Sequence, residues 1–436
     1  MTLRTADLAR PVETRRGTVA IGGADLATLL DETISGRWTY ERNFIRVITG
    51  ATPDEDLSAA LPALFAALGA GSPSAPDVEA VQLAASTGAE FEHAILPTLG
   101  SADRLRLTGE VLAAGGVPAS SAHPRLGAML CARLAAARPN SQFLGRAKAA
   151  RGAEGAAAAL LLEAGVAPML MPFVAVAARL PHLAAAYLAE LRERPNRFIG
   201  LCSTTRDDGW AEAEAAERIE TGLGYAETLV LTVLGRRIER TERRVIDAAL
   251  VSGAEYGETA ASSAMARLIG ASSAPPLDAY RAMIATFGYY HLGALKASAM
   301  IIEAAADGDI KAVIAASTRV DQAESDRPAR GRVAGFGHRF QTRDPRAALL
   351  LEMCLRRLPG RYIAAAAALN ELLSGSRVGH INMDGIGAAM GLQVGFPARI
   401  TSLLTLVARA PGVAKEYAKG TAAPGRYALK QRGGLR

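Results

Sequence analysis

Cysteine is nearly missing from this 436-residue chain. Its three residues, Cys131, Cys202 and Cys354, are far apart, odd in number and never in a CxxC. Such a set builds no disulfide framework and no zinc-finger spacing, so a reducing, cytoplasmic setting is expected. Aromatics make up only 5% of residues, and the +6 formal charge comes from basic residues scattered among acids. No aromatic-interleaved basic patch results, which argues against a nucleic-acid partner. The opening MTLRTADLARPVETRRG has charge but no apolar core, so it does not read as a secretory signal. Walker loop, Rossmann fingerprint and serine nucleophile elbow are all missing. Long apolar runs are reduced to one, residues 155–180, and it carries Glu163, Pro168 and Pro172 amid alanine. A membrane span needs about 20 strongly apolar residues. The stretch is expected to be a buried helix, with no membrane partner.

What is present is helix. Half of the residues are hydrophobic and alanine is abundant. Alanine has the best helix propensity and lets backbones approach. Segments such as ADLATLLDETI, DLSAALPALFAAL, ERRVIDAALVSG, PRAALLLEMCLRRL and GRYIAAAAALNELL show apolar recurrence near 3.6 residues. LDAYRAMIATFGYYHLGALKASAMIIEAA reads as one long periodic run of the same kind. No series of alternating strands appears, so the expected class is all-α.

The chain also resembles itself. With Glu154 placed on Asp384, an offset of 230 residues (384 − 154), Gly155 meets Gly385, Leu162 meets Leu392 and Gly165 meets Gly395. Arg179 then meets Arg409, Pro181 meets Pro411 and Tyr187 meets Tyr417, without a gap over more than 30 residues. Upstream, HPR at 123–125 answers DPR at 344–346, and FIRVITG ending at Gly50 answers LVLTVLG ending at Gly235. Alanine-rich helices match by chance, but ungapped Gly, Arg, Pro and Tyr matches are harder to obtain that way. The expectation is a tandem duplication, residues 1–200 and 208–436, divided near the mixed Pro, Gly, Ser and charge segment 192–210. Related surfaces tend to pack about a two-fold axis, which predicts an internal pseudo-dimer.

Three motifs carry chemistry: His291 in YYHLGALKASA, His338 in GFGHRFQTRDPR and Asp384 in HINMDGIGAAMG. They lie 47 and 46 residues apart, so only a fold can gather them. Two imidazoles and a carboxylate suffice to remove a proton beside a carbonyl, hold the enol and work on a second oxygen. Each motif has a plainer reading. His291 sits in an apolar stretch where a core histidine is common. Gly335 and Gly337 place His338 on a tight loop, while Asp344 and Pro345 suit a helix N-cap and first position. Arg346 in that first turn is unfavourable unless an anion lies near. Asp384 beside Gly385 and Gly387 also suits an N-cap. His291, His338 and Asp384 lack the short spacing of helix-borne metal ligands, so no metal is expected. The charged segment at 319–332 leads straight into GFGH and reads as a mobile loop.

Together these motifs resemble the citrate synthase family, and within it the citryl-CoA lyase-like branch. HLGALKASAMIIEAA is similar to the family's HGGA-type helix, GFGHRFQTRDPRA to its GxGHR…DPR motif with one residue fewer, INMDGIGAAMGLQVGFP to its N-x-D segment and VARAPGVAKEY to its closing helix. The resemblance covers roughly residues 210–430. It implies a helical fold of large and small domains, a homodimeric unit and a coenzyme A thioester as substrate, with no permanently bound cofactor. By motif position Asp384 would be the base for the acyl methyl proton. His291 would hold the enol, and His338 would act on the oxo-acid oxygen. Arg346 and Arg409 would bind substrate carboxylates, and Arg339 the CoA end. The family's DHE-like histidine is replaced by Tyr256 in GAEYGETAASSAMARL, and Gly257 matches the lyase-like DHG. An arginine that comes from the neighbouring subunit in the family corresponds to Arg426, or to Arg197 in the first copy. That copy keeps Glu154 and Arg179 but has no GxGHR, and its His93 matches His291 only loosely. The implied activity is interconversion of a citryl-CoA-like thioester with acetyl-CoA and oxaloacetate. Alternatives are a citrate or 2-methylcitrate synthase-type acyltransferase, and a non-catalytic CoA-binding regulator.

Overall fold

The computed structural model describes residues 20–21, 23–70, 75–86, 89–193, 208–255, 260–287, 293–308, 310–311, 313, 333–338, 343–376 and 378–425. A short hairpin, β1 (Ala20–Ile21) with β2 (Ala24–Asp25), is the single sheet among the described residues. Asp25 then caps α1 (Leu26–Ser35) by accepting from Thr28 N at 3.0 Å. The N-terminal half continues with α2 (Tyr40–Thr49), α3 (Glu55–Ala70), α4 (Ala75–Ser86), α5 (Phe91–Ala94), α6 (Asp103–Ala113), α7 (Pro124–Ala137), α8 (Leu144–Ala150), α9 (Ala153–Glu163) and α10 (Met171–Glu193). The C-terminal half runs through α11 (Asp208–Thr221), α12 (Tyr225–Leu234), α13 (Arg240–Gly253), α14 (Ala261–Ala271), α15 (Pro276–Ala285), α16 (Gly293–Asp307), α17 (Pro345–Arg357), α18 (Arg361–Ser374), α19 (Met383–Val394) and α20 (Ser402–Thr421). The all-α class expected from composition is what the chain adopts.

Two long apolar runs are shorter helices than their periodicity implies. Residues 155–180 are not one helix: α9 ends at Glu163, Gly165 turns with φ +77° and Pro168 opens a 3₁₀ turn before α10. A left-handed glycine followed by proline stops a helix that apolar spacing alone would continue. Likewise α15 closes at Ala285, where Thr286 N donates to Ala282 O. The stretch from Pro168 to Arg192 is long and apolar enough to cross a membrane, with mean hydropathy 1.5, but 78% of its apolar window is buried inside the protein. It packs against α3, α4, α12 and α20, and forms the middle of the core.

The pairings between halves follow a pattern. α1 packs on α13 while α11 packs on α3, and α2 packs on α20 while α12 packs on α10. α10 and α20 pack on each other. Two buried tyrosines tie these pairs together. Tyr40 Oη donates to Val407 O at 2.7 Å and Tyr225 Oη to Ala177 O at 2.6 Å, with ring centroids 4.8 Å apart. Gly50 and Gly235 end α2 and α12 in the left-handed region, φ +76° and +69°. Tyr187 Oη and Tyr417 Oη each reach a loop carbonyl at 2.9 Å, Ala89 O and Ala274 O. Beside the tyrosine pair lie two buried acids. Glu41 accepts from Tyr225 N at 2.6 Å, and Asp247 accepts from Tyr40 N at 3.4 Å. Burial, helped by the neighbouring Glu41 charge, pushes the Asp247 carboxyl up to about 8, against the pull of Arg243. Cys131 and Cys354 are buried free thiols; Cys202 lies outside the described residues.

Candidate functional site

The GFGH segment is clamped to the start of α19. Asn382 N donates to Gly335 O at 3.0 Å, and Gly337 N donates to His380 O at 2.7 Å. Asn382 Nδ2 adds a bond to Gly337 O at 2.8 Å, and Phe336 bridges Ile381 in antiparallel fashion. Both glycines stand in the left-handed region, φ +85° and +81°. The clamp also needs them to be small. A Cβ on Gly335 would collide with Ser298 Oγ and come within 2.8 Å of Gly385 Cα, while one on Gly337 would meet Val378 O at 2.5 Å. His338 directly follows Gly337 of this clamp and Asp384 stands two residues after Asn382, both half-buried. Two of the three expected groups therefore issue from one hydrogen-bonded unit, although 46 residues separate them in the chain.

Asp384 does not cap its helix. The N-cap is Asn382, whose Oδ1 accepts from Asp384 N at 3.0 Å and Gly385 N at 3.1 Å. An amide two residues upstream satisfies the free N–H groups of the first turn, so the plainer N-cap reading of Asp384 is displaced. Asn382 thus has two tasks, cap and clamp. Its spacing before the aspartate in N-x-D is the signal that reveals it.

Asp344 caps α17, with Pro345 at the first position, as its sequence suggests; Arg346 N donates to Asp344 Oδ1 at 3.0 Å. The same carboxylate takes the Arg346 fork, Nε to Oδ1 at 3.1 Å and Nη2 to Oδ2 at 2.8 Å, and Arg346 Nη1 donates to Glu255 O at 3.1 Å. The anion that a first-turn arginine demands is therefore supplied by the chain itself, two residues away. Burial opposes ionisation of Asp344, but the Arg346 guanidinium and His338 hold its carboxyl below the usual carboxylate range.

Arg409 lies in α20, buried at 7% exposure, and its Nη2 donates to Ser262 Oγ at 3.1 Å and Ser263 Oγ at 2.9 Å. Those two serines of α14 escaped the sequence reading, since nothing local marks them. His291, Tyr256, Arg339, Arg197 and Arg426 lie outside the described residues, as do 319–332 and Gly257.

The N-terminal half has an arrangement of similar outline. Ala153 N donates to Ala122 O at 3.2 Å and Glu154 N to Ser121 Oγ at 3.3 Å, so the start of α9 is also tied to a preceding segment. Arg179 of α10 is buried and its Nη1 donates to Ser101 Oγ at 2.8 Å. The loop differs. A single residue, His123, separates Ala122 from α7, whereas nine residues separate Gly335 from α17. The histidine found there, His123, is itself the residue before α7, with Nδ1 3.8 Å from Glu212 Oε2, and is not carried on a loop as His338 is.

The family model described as "Citrate synthase, C-terminal domain" matches residues 116–421. Among solved structures, citrate synthase from Thermoplasma acidophilum, in a ternary complex with carboxymethyl coenzyme A and oxaloacetate, is 14% identical. It aligns over 97% of this chain and 89% of its own, with a TM-score of 0.57. Citrate synthase from Pyrobaculum aerophilum is 16% identical over 94% of this chain and 84% of its own, also at TM-score 0.57. Citryl-CoA lyase from Hydrogenobacter thermophilus is 21% identical over 49% of this chain and 83% of its own, at TM-score 0.42, a likeness too slight to bear on activity. No curated protein matches the chain by sequence.

Proposed function

The chain belongs to the citrate synthase family, and from that premise we propose that its C-terminal half makes or breaks a carbon–carbon bond next to a coenzyme A thioester. The substrates on this reading are acetyl-CoA and an oxo acid such as oxaloacetate, joined in a citryl-CoA-like product. The observation that carries it is the clamp of GFGH onto Asn382, which brings the His338 and Asp384 backbones together.

In the condensing direction the Asp384 carboxylate takes a proton from the thioester methyl group. His291 donates a hydrogen bond to the thioester oxygen and so stabilises the enol. The enol carbon then attacks the ketone carbon of the oxo acid, and His338 delivers a proton to the oxygen that becomes hydroxyl. Cleavage runs the same transfers backwards, with His338 as base. Each positioned acid or base is worth about 10²–10⁴-fold. Arg409, fixed by two serine hydroxyls, receives a substrate carboxylate. Arg346 is committed to Asp344, and the pair holds the segment leading from His338; it is a positioning pair in this reading. Arg339 assists the CoA end, and Tyr256 offers the oxo acid a neutral hydroxyl where the resemblance expects a histidine.

We further read the chain as two related copies, 1–200 and 208–436, folded into an internal pseudo-dimer. The crossed packing of α1 on α13 and α11 on α3, and of α2 on α20 and α12 on α10, supports this. So do the tyrosine bonds to Val407 O and Ala177 O, whose acceptors are themselves 230 residues apart (407 − 177). On this reading Arg197 serves the C-terminal site as a partner subunit's arginine would. Arg197→Ala should raise KM more than Arg426→Ala; equal or reversed effects sink the pseudo-dimer role.

The test of activity is direct. Purified protein is mixed with acetyl-CoA and oxaloacetate, or with citryl-CoA, and free thiol and oxaloacetate are followed. Thiol release during condensation marks a synthase, since the thioester is then also hydrolysed. Oxaloacetate release from citryl-CoA marks a lyase. CoA binding without turnover in any mixture overturns the catalytic reading in favour of a binding protein.

A further inference from the structure

We propose that the N-terminal half holds a second ligand site, a pocket that binds a small hydroxy acid without turning it over. This goes beyond the catalytic reading and does not depend on turnover in the C-terminal half. The site is a cavity of about 350 Å³ between the ends of α3, α6, α9 and the middle of α10. That size lies within the range of small-molecule pockets, about 300–1,000 Å³. Its wall includes Arg104, Thr108, Ser120, Ser121, Glu154 and Arg179.

Arg179 is the centre of the argument. It is only 5% exposed, its Nη1 donates to Ser101 Oγ, and its Nε is buried with no hydrogen-bond partner among the described residues. Ser101 Oγ in turn donates to Asp77 Oδ2 at 2.9 Å, and Asp77 is not part of the wall. Burial pulls the guanidinium down to about 10, so the group keeps its charge at neutral pH at a desolvation cost that an anion would offset. Arg104 adds a second guanidinium, 60% exposed, whose Nε lies 3.7 Å from Glu154 Oε1. With Asp77 behind Ser101 counted, two cations face two carboxylates, so what suits a ligand carboxylate is the unpartnered Nε–H of buried Arg179 together with the exposed Arg104 guanidinium. Glu154 can only accept when ionised, so it favours a ligand hydroxyl that donates. Ser120, Ser121 and Thr108 offer hydroxyls that do either.

The neighbourhood also carries backbone strain. His123, on the cavity wall, has φ +62°, a conformation that residues other than glycine seldom adopt. It holds the turn into α7 where the C-terminal half has its histidine loop. The cavity thus has a carboxylate and a buried arginine, while its wall histidine, His123, is the residue directly before α7, with Nδ1 3.8 Å from Glu212 Oε2, rather than a residue on a loop like GFGH; that arrangement suits binding.

Isothermal titration with lactate, malate and citrate as probes tests this. Wild-type chain should take up at least one of them saturably, with one acid per chain assigned to this cavity. Arg179→Met should weaken that component at least about tenfold. Because Arg179 is buried and its loss risks misfolding, Arg104→Gln and Glu154→Gln on the more accessible wall provide a second arm. Arg104→Gln should weaken the same component several-fold, and Glu154→Gln, which keeps an acceptor oxygen but removes a charge that repels the ligand carboxylate, should strengthen it, while circular dichroism of both stays that of the wild type. If the C-terminal half binds none of the acids, a single component sensitive to Arg104→Gln still upholds the second site. Absence of binding by all three acids, or binding untouched by both Arg104→Gln and Glu154→Gln, overturns it.

Discussion

Asp384 and Glu154 each stand second in a helix, tied back to an earlier segment and accompanied by a buried arginine held by serine hydroxyls. Only one of them has a histidine loop beside it. The nine residues between Gly335 and α17 shrink to one between Ala122 and α7. The features that the two regions share are packing features: a proline within each closing helix, a tyrosine bonded to a loop carbonyl and a left-handed glycine after each small-residue helix. The feature that differs is the loop that carries His338, to which the proposed mechanism assigns a proton transfer.

The sharpest way to break this contrast is Asp384→Asn. It should lower turnover by about 10²–10⁴-fold, measured as oxaloacetate or thiol release. A fall of only about half would mean that the N-terminal half also turns over, and the contrast would fail. Gly335→Ala should come next. The left-handed backbone and the contact with Ser298 and Gly385 should cost about 1–3 kcal/mol, seen as a lower Tm together with lost activity. An activity loss with no change in Tm would detach the clamp from the fold.

Asp247 tests the boundary between the halves. Its carboxyl is raised from the usual 3.8 to about 8 in the folded chain, with Glu41, Arg243 and Glu227 around it. Between those values the folded state binds the proton more tightly than the unfolded state, so this group makes stability fall as pH rises from about 4 to 8. Asp247→Asn removes that slope and should stabilise the protein by at least about 1 kcal/mol at pH 8 relative to pH 4. Urea midpoints across this range decide the matter; an unchanged difference between wild type and variant would show that the carboxyl is not buried neutral. The smallest effects belong to Tyr40→Phe and Tyr225→Phe. Each removes one buried hydroxyl bond and should cost about 1 kcal/mol, with the two costs alike. A marked inequality in denaturant midpoint would count against equivalent roles for α2 and α12.

The sequence was read well where a motif is local. Asp344 and Pro345 announce the start of α17, and Gly335 and Gly337 announce a turn, because caps and left-handed turns are satisfied by neighbours in the chain. It was read less well where a helix is cut short. Residues 155–180 and 277–305 stay apolar and periodic across breaks at Gly165 and Thr286, because hydrophobic spacing reports which face is buried rather than whether the backbone turns. Arg346 is a different case. Its position calls for an anion, and only the fold shows that Asp344 answers it. Ser262 and Ser263 were invisible beforehand, since 146 residues separate Ser263 from the arginine it holds.

Composition and short motifs alone determined that this chain would be helical and which family pattern it follows. Those are properties of local propensity and of side chains read one at a time. Tertiary structure decided that Asn382 rather than Asp384 caps α19, that GFGH is pinned beside it, and that a buried arginine borders a cavity in the other half as well. Such outcomes depend on hydrogen bonds and close backbone contacts between segments distant in the chain, and these exist only once the helices have packed.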